Sequence, residues 1–376
     1  MMRRALATVL VALACANRDI VATTAATDGT EYCQGTGPPI LADGTCTGRL
    51  AEAAFGRAVC TCGSLGNFTA LDTDGFDSRS APWTPGAGGG DVGGNAGLDF
   101  GGTAKVAGAL TIAGNVQAGT TLDVDGDLAI GGGLGRSSSA INVGGAARIG
   151  GNVDVAVLHV ASTLTMPGGA TYHGSITPLP LAGPVEVPPP CPCNAVSIST
   201  IVGEQRTANQ DATIGLEPDA LANLHDDATL QLPCGLFYLT RIQVSGASHL
   251  ALRATGRTAL FVAEDLTVDG ALTLEIAPGA ELDVFVAGSV NLPGTVRLGD
   301  ATRPRALRLY LGAGGSISLS PGSRLAGNLY APAADLAASA PLEIYGALLV
   351  NHLALGAGLT VHRDRATAAA GAACQN

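Results

Sequence analysis

The stretch Leu110–Gly133, "LTIAGNVQAGTTLDVDGDLAIGGG", places its apolar residues on a beat that is neither helical nor that of an ordinary amphipathic strand. Cut into sixes from slightly upstream, it reads AKVAGA from Ala104, LTIAGN from Leu110, VQAGTT from Val116, LDVDGD from Leu122 and LAIGGG from Leu128. The template is apolar, any, apolar, any, small, any. In a strand the first and third residues of each hexad point the same way, and the small fifth residue lets the chain turn a corner. A helix is excluded because each glycine inside one costs ~1 kcal/mol relative to alanine. A β-sandwich needs longer strands with true turns between them.

Three such faces close one coil of roughly eighteen residues, with equivalent positions stacked ~4.8 Å apart in successive coils. The expected fold class is therefore all-β, a parallel β-helix or β-solenoid. That geometry makes named neighbours: Lys105 beside Asp123, Ala104 beside Leu122, and Thr111 beside Ala129 rather than beside another threonine. Asp123, Asp125 and Asp127 then face outward as a solvated acidic surface. After the serine-rich "LGRSSSA" the hexads resume with INVGGA from Ile141, ARIGGN from Ala147 and, after a one-residue slip, LHVAST from Leu158 through ATYHGS from Ala170. From about Leu260 to Asp364 the same habit returns with a period of roughly nineteen to twenty-seven residues, its strands separated by Pro, Gly and Asp turns.

Composition agrees with thin stacked layers. Glycine fills 53 positions, and aromatic residues make up only 4%, so the core is built from Val, Leu, Ile and Ala. Twenty basic against 31 acidic side chains give a net charge of -11, which disfavours nucleic acid and anionic lipid surfaces as partners.

The N-terminal "MMRRALATVLVALACAN" has two arginines followed by a short apolar run, the pattern of an export signal. Ala14 before Cys15 fits a lipobox, in which the cysteine becomes an acylated N-terminus; cleavage after Ala16 is the competing reading. Removing Cys15 leaves eight cysteines, Cys33, Cys46, Cys60, Cys62, Cys191, Cys193, Cys234 and Cys374, an even set expected to form disulfides in an exported chain. The Cys-x-Cys spacing at 60/62 and 191/193 is short for zinc.

The chain divides into a lipoprotein signal at 1–15, a Cys-rich cap and Gly-rich linker at 16–96, and a hexad solenoid at 97–176. A Pro-rich linker follows at 177–194, then a connecting segment at 195–255 with a helical turn at "LEPDALANL", a second β-helical domain at 256–365 and a tail at 366–376.

Several phrases together resemble a family of uncharacterised bacterial surface lipoproteins: "CTC" at Cys60, "TDGFDS" at Thr73, "PCPC" at Pro190, "LPCGLFYL" at Leu232, "ELDVFVAG" at Glu281, "NLYAPAA" at Asn328, and "YGALLV" followed by "VHRD" at Val361. The C-terminal third is similar to a β-helical domain of unknown function also found in pilus-assembly-like surface proteins. Arg363 stands where that family carries an aromatic residue. The hexads resemble those of bactofilins, which polymerise. Neither resemblance implies a catalytic residue.

The chemistry-bearing candidates are few. Asp72, Asp74 and Asp77 in "DTDGFDS" have the close spacing of a calcium loop but lack its closing glutamate, and an Asx turn explains them equally. Glu264, Asp265 and Asp269, or Glu281 and Asp283, are the carboxylates that a polysaccharide-cleaving β-helix would need to converge. His362 and Asp364 share a face of the last strand, as a capping hydrogen bond at the solenoid end requires. No cofactor is expected. The function expected is a non-catalytic structural or adhesive component of the cell surface, with a carbohydrate-binding or polysaccharide-degrading β-helix and a bactofilin-like polymer as alternatives. Its expected partners are the membrane, through the lipid anchor, and envelope polysaccharide or proteins.

Overall fold

The computed structural model describes residues 18–20, 31–34, 47–85, 88–195 and 197–368. Cys15, Cys46 and Cys374 lie outside these residues. The hexads form the stacked coils their spacing demands. Asp123 registers with Lys105 and Leu122 with Ala104 on parallel strands, and Ala129 registers with Thr111. Each coil contributes one strand to each of three faces. A 13-stranded sheet forms one face; a 20-stranded sheet wraps the other two, joined through long corner-turning strands such as Leu134–Val143. A 3-stranded sheet, Ile242–Val244, Leu266–Val268 and Val290–Asn291, completes the third face at one end. First and third hexad residues fill the lumen: Leu110, Ile112, Val116, Leu122 and Ile130 have no exposed surface.

The two β-helical segments are one rod. Strand Gly358–Asp364 pairs along its whole length with Ala70–Phe76, and Leu348–Val350 pairs with Val59–Thr61. Thirteen rungs at ~4.8 Å make a rod about 60 Å long. The chain starts winding in the middle of this rod at Val59 and reaches one end at Leu181–Ala182. It then returns to the middle, enters the far end at Ala228 and winds back until Asp364 meets Phe76. Residues 59–76 and 92–94 are thus mid-rod coils, whereas the sequence predicts a cap over 16–96 that closes an end. Glycine-poor Val59–Thr61 and Ala70–Phe76 hide from hexad counting because a long excursion separates them from the next coil.

The return path is a strap. Nine residues from Gly183 to Cys191, four of them proline, span ~28 Å when extended as polyproline II. The six rungs between Leu181–Ala182 and Val59–Thr61 span ~29 Å, so the strap is taut. Disulfides Cys60–Cys191 and Cys62–Cys193 fasten it to the middle of the 13-stranded face.

Helices α1 (Glu31–Gln34), α2 (Thr47–Ala54), α3 (Ile198–Gln205) and α4 (Asp211–Ile214) are all short. The stretch "LEPDALANL" forms a hydrogen-bonded turn with Ala220 N–H on the Glu217 carbonyl; the helices α3 and α4 stand upstream of it. Ile198, Ile201 and Val202 of α3, with Leu50, Ala54 and Phe55, cover an apolar ladder on the outside of the 13-stranded face. That ladder runs Tyr238, Phe261, Phe285, Tyr310, Tyr330, Leu349, Cys60, one residue per rung. Phe285 lies 4.6 Å from Tyr310 with rings 9° apart, so aromatic residues build the outer wall as well as the core cluster that holds Phe68, Phe100 and Phe237.

The two ends differ. At the far end Arg18–Ile20 adds an outer strand to Ala228–Leu230, and Cys33 of α1 is bonded to Cys234. At the other end Tyr172–Thr177 and Leu181–Ala182 are the last strands among the described residues. The large apolar side chains most exposed there, Leu179 at 70% and Leu181 at 60%, sit between Pro178, Pro180 and Pro184. Those prolines remove N–H donors from the edge and oppose uncontrolled strand addition.

Candidate functional site

The chemistry-bearing side chains gather where the two windings meet. His362 stands next to Tyr345 on one side and Asp74 on the other, one per rung. Because the strand Gly358–Asp364 lies mid-rod, His362 does not cap an end as its place in the sequence suggested. It is buried at 3% exposure, with Nδ1 2.8 Å from Asp74 Oδ1 and Nε2 3.2 Å from Glu343 Oε1. A carboxylate on each ring nitrogen is satisfied fully only when both nitrogens carry protons. Burial works against the charged ring, but the hydrogen bond and charge of Asp74, then those of Glu343, outweigh it and raise the His362 pKa.

Two aromatic rings complete the cluster. The Trp83 ring centre is 4.0 Å from that of His362, and its indole N–H donates to Asp74 Oδ1 at 3.0 Å. Tyr345 is 4.7 Å from His362, donates its hydroxyl to Glu343 Oε1 at 3.0 Å, and has Arg324 over its ring at 5.8 Å. Asp364 takes no part in the cluster: it is fully buried and accepts from the N–H groups of Ser78, Ala366 and Arg305. It therefore ties the seam's last strand to two loops. Trp83, Glu343 and Tyr345 were not singled out from sequence. A lone tryptophan in an aromatic-poor chain was the available signal.

The acids of "DTDGFDS" separate. Asp74 joins His362 and Trp83; Asp77 is gripped by Arg79 through both carboxylate oxygens, and that hydrogen bonding pulls its pKa down to about 2. Asp72 lies in register with Thr360 and Lys105. Among the described residues no group of three or more His, Cys, Asp or Glu could hold a metal ion. Asp123 accepts from Asn142 Nδ2 at 2.7 Å, Asp127 Oδ1 from the Ala146 N–H at 2.8 Å, and Asp125 is exposed beside them.

Of the carboxylates that polysaccharide cleavage would use, Glu264, Asp265 and Asp269 go to separate partners, whereas Glu281 and Asp283 meet at one guanidinium. Glu264 pairs with Arg241 at 2.7 Å, Asp265 accepts from the Ser289 N–H and Asp269 from the Gly246 N–H, all as corner ligands. Asp283 is buried, held by Arg308 at 2.6 Å and 2.9 Å, while Glu281 takes the same guanidinium at 2.8 Å. Arg308 is the next rung above Asp283, so the pair is an internal tie between coils.

Of the eight expected disulfide cysteines, Cys33–Cys234, Cys60–Cys191 and Cys62–Cys193 are bonded. Each joins residues more than a hundred positions apart, and such bonds persist in oxidising compartments. No helix among the described residues is long and apolar enough to cross a membrane. No curated protein and no solved structure matches the chain. Residues 193–370, from the strap's second cysteine through the whole far winding, match the family model of a domain of unknown function, DUF7305.

Proposed function

We propose that the protein is an exported, lipid-anchored structural or adhesive rod of the bacterial cell surface, without catalysis. The observation that carries this reading is the asymmetry of the rod. The residues just after Cys15 pair with the outermost far strand, Ala228–Leu230, so an acyl chain on Cys15 would tether that end. The other end, with exposed Tyr172, Leu179 and Leu181, would then project about 60 Å from the membrane as the contact surface. Three covalent ties and an acidic exterior suit a rod that must stay rigid outside the cell.

Mass spectrometry of the mature N-terminus tests the anchor: diacylated or triacylated Cys15 is expected, and an unmodified Asn17 terminus would contradict it. Leu179→Asp with Leu181→Asp should weaken attachment of cells to surfaces or to each other while leaving the circular dichroism spectrum unchanged.

A second reading, glycan binding, draws on the seam cluster. Trp83 and Tyr345, flanked by Arg324, Asp74 and Glu343, combine an aromatic platform with polar groups, the pairing that recognises a sugar ring. A glycan panel probed with wild type and Trp83→Ala separates this reading from a purely structural one.

A further inference from the structure

The Asn95 side chain grips the strap through both ends of its amide. Its backbone N–H donates to the Thr61 carbonyl, which seats it on the rung next to Cys62. Oδ1 accepts from the Cys191 N–H at 2.8 Å, while Nδ2 donates to the Cys191 carbonyl at 2.9 Å and to Cys193 Sγ at 3.1 Å. The Cys191 N–H can pair only with the amide oxygen, so it fixes which end of the amide faces the sulfur: the end that carries protons.

The two strap disulfides are not equivalent. Cys60 and Cys191 are 3% and 6% exposed and belong to the apolar cluster under α2 and α3, whereas Cys62 and Cys193 are half-buried and pack against its margin. Cys60 Sγ is also crowded from the side: a Cβ on Gly93 would lie 3.1 Å from it and 2.8 Å from Arg57 Cδ. Around the outer bond, Ser64, Asn194 and Ala195 are exposed. A thiol arriving from water therefore meets Cys62–Cys193 before Cys60–Cys191. Exchange then depends on which sulfur leaves, and a sulfur leaves faster when its thiolate is stabilised. A hydrogen bond to a charged acceptor is stronger than one to a neutral acceptor, so the Asn95 amide favours Cys193 as the leaving thiolate.

We infer that Cys62–Cys193 is a thiol–disulfide exchange site that takes a small aqueous thiol onto Cys62, with Asn95 as the positioning residue that sets the direction. The incoming thiolate attacks Cys62 Sγ. A new S–S bond forms there as the bond to Cys193 breaks, and the electron pair of the broken bond stays on Cys193 as a thiolate. A second thiolate attacking the small-thiol sulfur of this mixed disulfide releases the small thiol's own disulfide and leaves Cys62 as a thiolate, so two electrons pass from two small thiols to the protein. Cys60–Cys191 and the Asn95 bonds to Cys191 hold the strap on the wall throughout.

The test adds reduced glutathione to the full disulfide-intact chain at neutral pH, quenches with acid, blocks free thiols with N-ethylmaleimide and locates both groups by mass-spectrometric sequencing. The first product should carry glutathione on Cys62 and maleimide on Cys193, with Cys60–Cys191 closed. Asn95→Asp keeps an acceptor for the Cys191 N–H but sets a carboxylate beside Cys193, which repels a thiolate. Opening should slow about tenfold, and the remaining adduct should move toward Cys193. Loosening of the strap alone would instead speed opening and leave the adduct where it was. Should that variant fail to fold, the adduct position in the wild type decides by itself. Glutathione found on Cys193 or equally on both cysteines of the wild type, Cys60–Cys191 opening first, or unchanged rate and position in Asn95→Asp would overturn the inference.

Discussion

His362 holds a carboxylate at each ring nitrogen, and one of them, Asp74, comes from the other winding, 288 positions away in sequence. Its raised pKa has a definite consequence for stability. A group whose folded pKa lies above its unfolded value of ~6.5 contributes stability that is fully present below that value and lost as pH rises through the folded pKa. Melting temperature should therefore fall on going from pH 6 to the alkaline side of neutrality, and His362→Gln should flatten that slope; an equal slope in both proteins would contradict the double clamp. Asp211 acts in the same direction for a different reason. Burial raises its pKa to about 6, and one carboxylate oxygen accepts from Tyr238 N–H while the other has no hydrogen-bond partner. Asp211→Asn keeps the acceptor and removes the charge. It should stabilise by on the order of 1–2 kcal/mol at pH 7.5 and by almost nothing at pH 4, as chemical denaturation at the two pH values would show.

At the scale of the element, the coil corners explain the hexad's small fifth residue. Asn115 Oδ1 accepts from Gly133 N–H one coil on, Asn152 from Thr171, Asp91 from Ala109 and Asp127 from Ala146. Asx and small residues thus alternate from coil to coil, each side chain reaching over its neighbour. A Cβ on Gly145 would lie 2.2 Å from Asp127 Oδ1, so glycine is required there by the approach of the side chain. Asn115→Ala should cost ~1 kcal/mol in urea unfolding, and Gly145→Ala more, because the acid must swing away. The alternation of Asn115, Gly133, Asn152 was visible in the sequence only as low-complexity noise, since its partner lies a full coil away. The hexads themselves were legible because their signal repeats within six residues. Cysteine pairing was not legible: spacing gives the number of cysteines and not which coils the strap lies across. The seam cluster stayed hidden for the same reason, because Asp74, Glu343 and His362 share no local pattern. The strap adds a test of its own. Deleting Val187 and Pro188 shortens a path that is already taut, and mass spectrometry should find Cys60–Cys191 or Cys62–Cys193 unformed.

For the whole molecule, Asp364 and Val59 are consecutive steps of one winding although they lie far apart in the chain. A circular permutant joining residue 368 to residue 57 by a short linker, with new termini inside the strap, should therefore fold with its strands in the same register. Retained melting cooperativity would be the readout. The central claim, a single rod with a continuous ladder across the seam, is tested most directly by a distance. Arg297 and His159 occupy the same outward row, which passes through Arg324, Glu343, Thr360, Asp72, Lys105, Asp123 and Asn142. Eight rungs separate the two: three from Arg297 to Thr360, one across the seam to Asp72, and four on to His159. Spin labels at these positions should give a single narrow distance near 38 Å by pulsed electron resonance. A broad distribution, or a maximum far from that value, would mean that two solenoids hang on the strap as separate bodies.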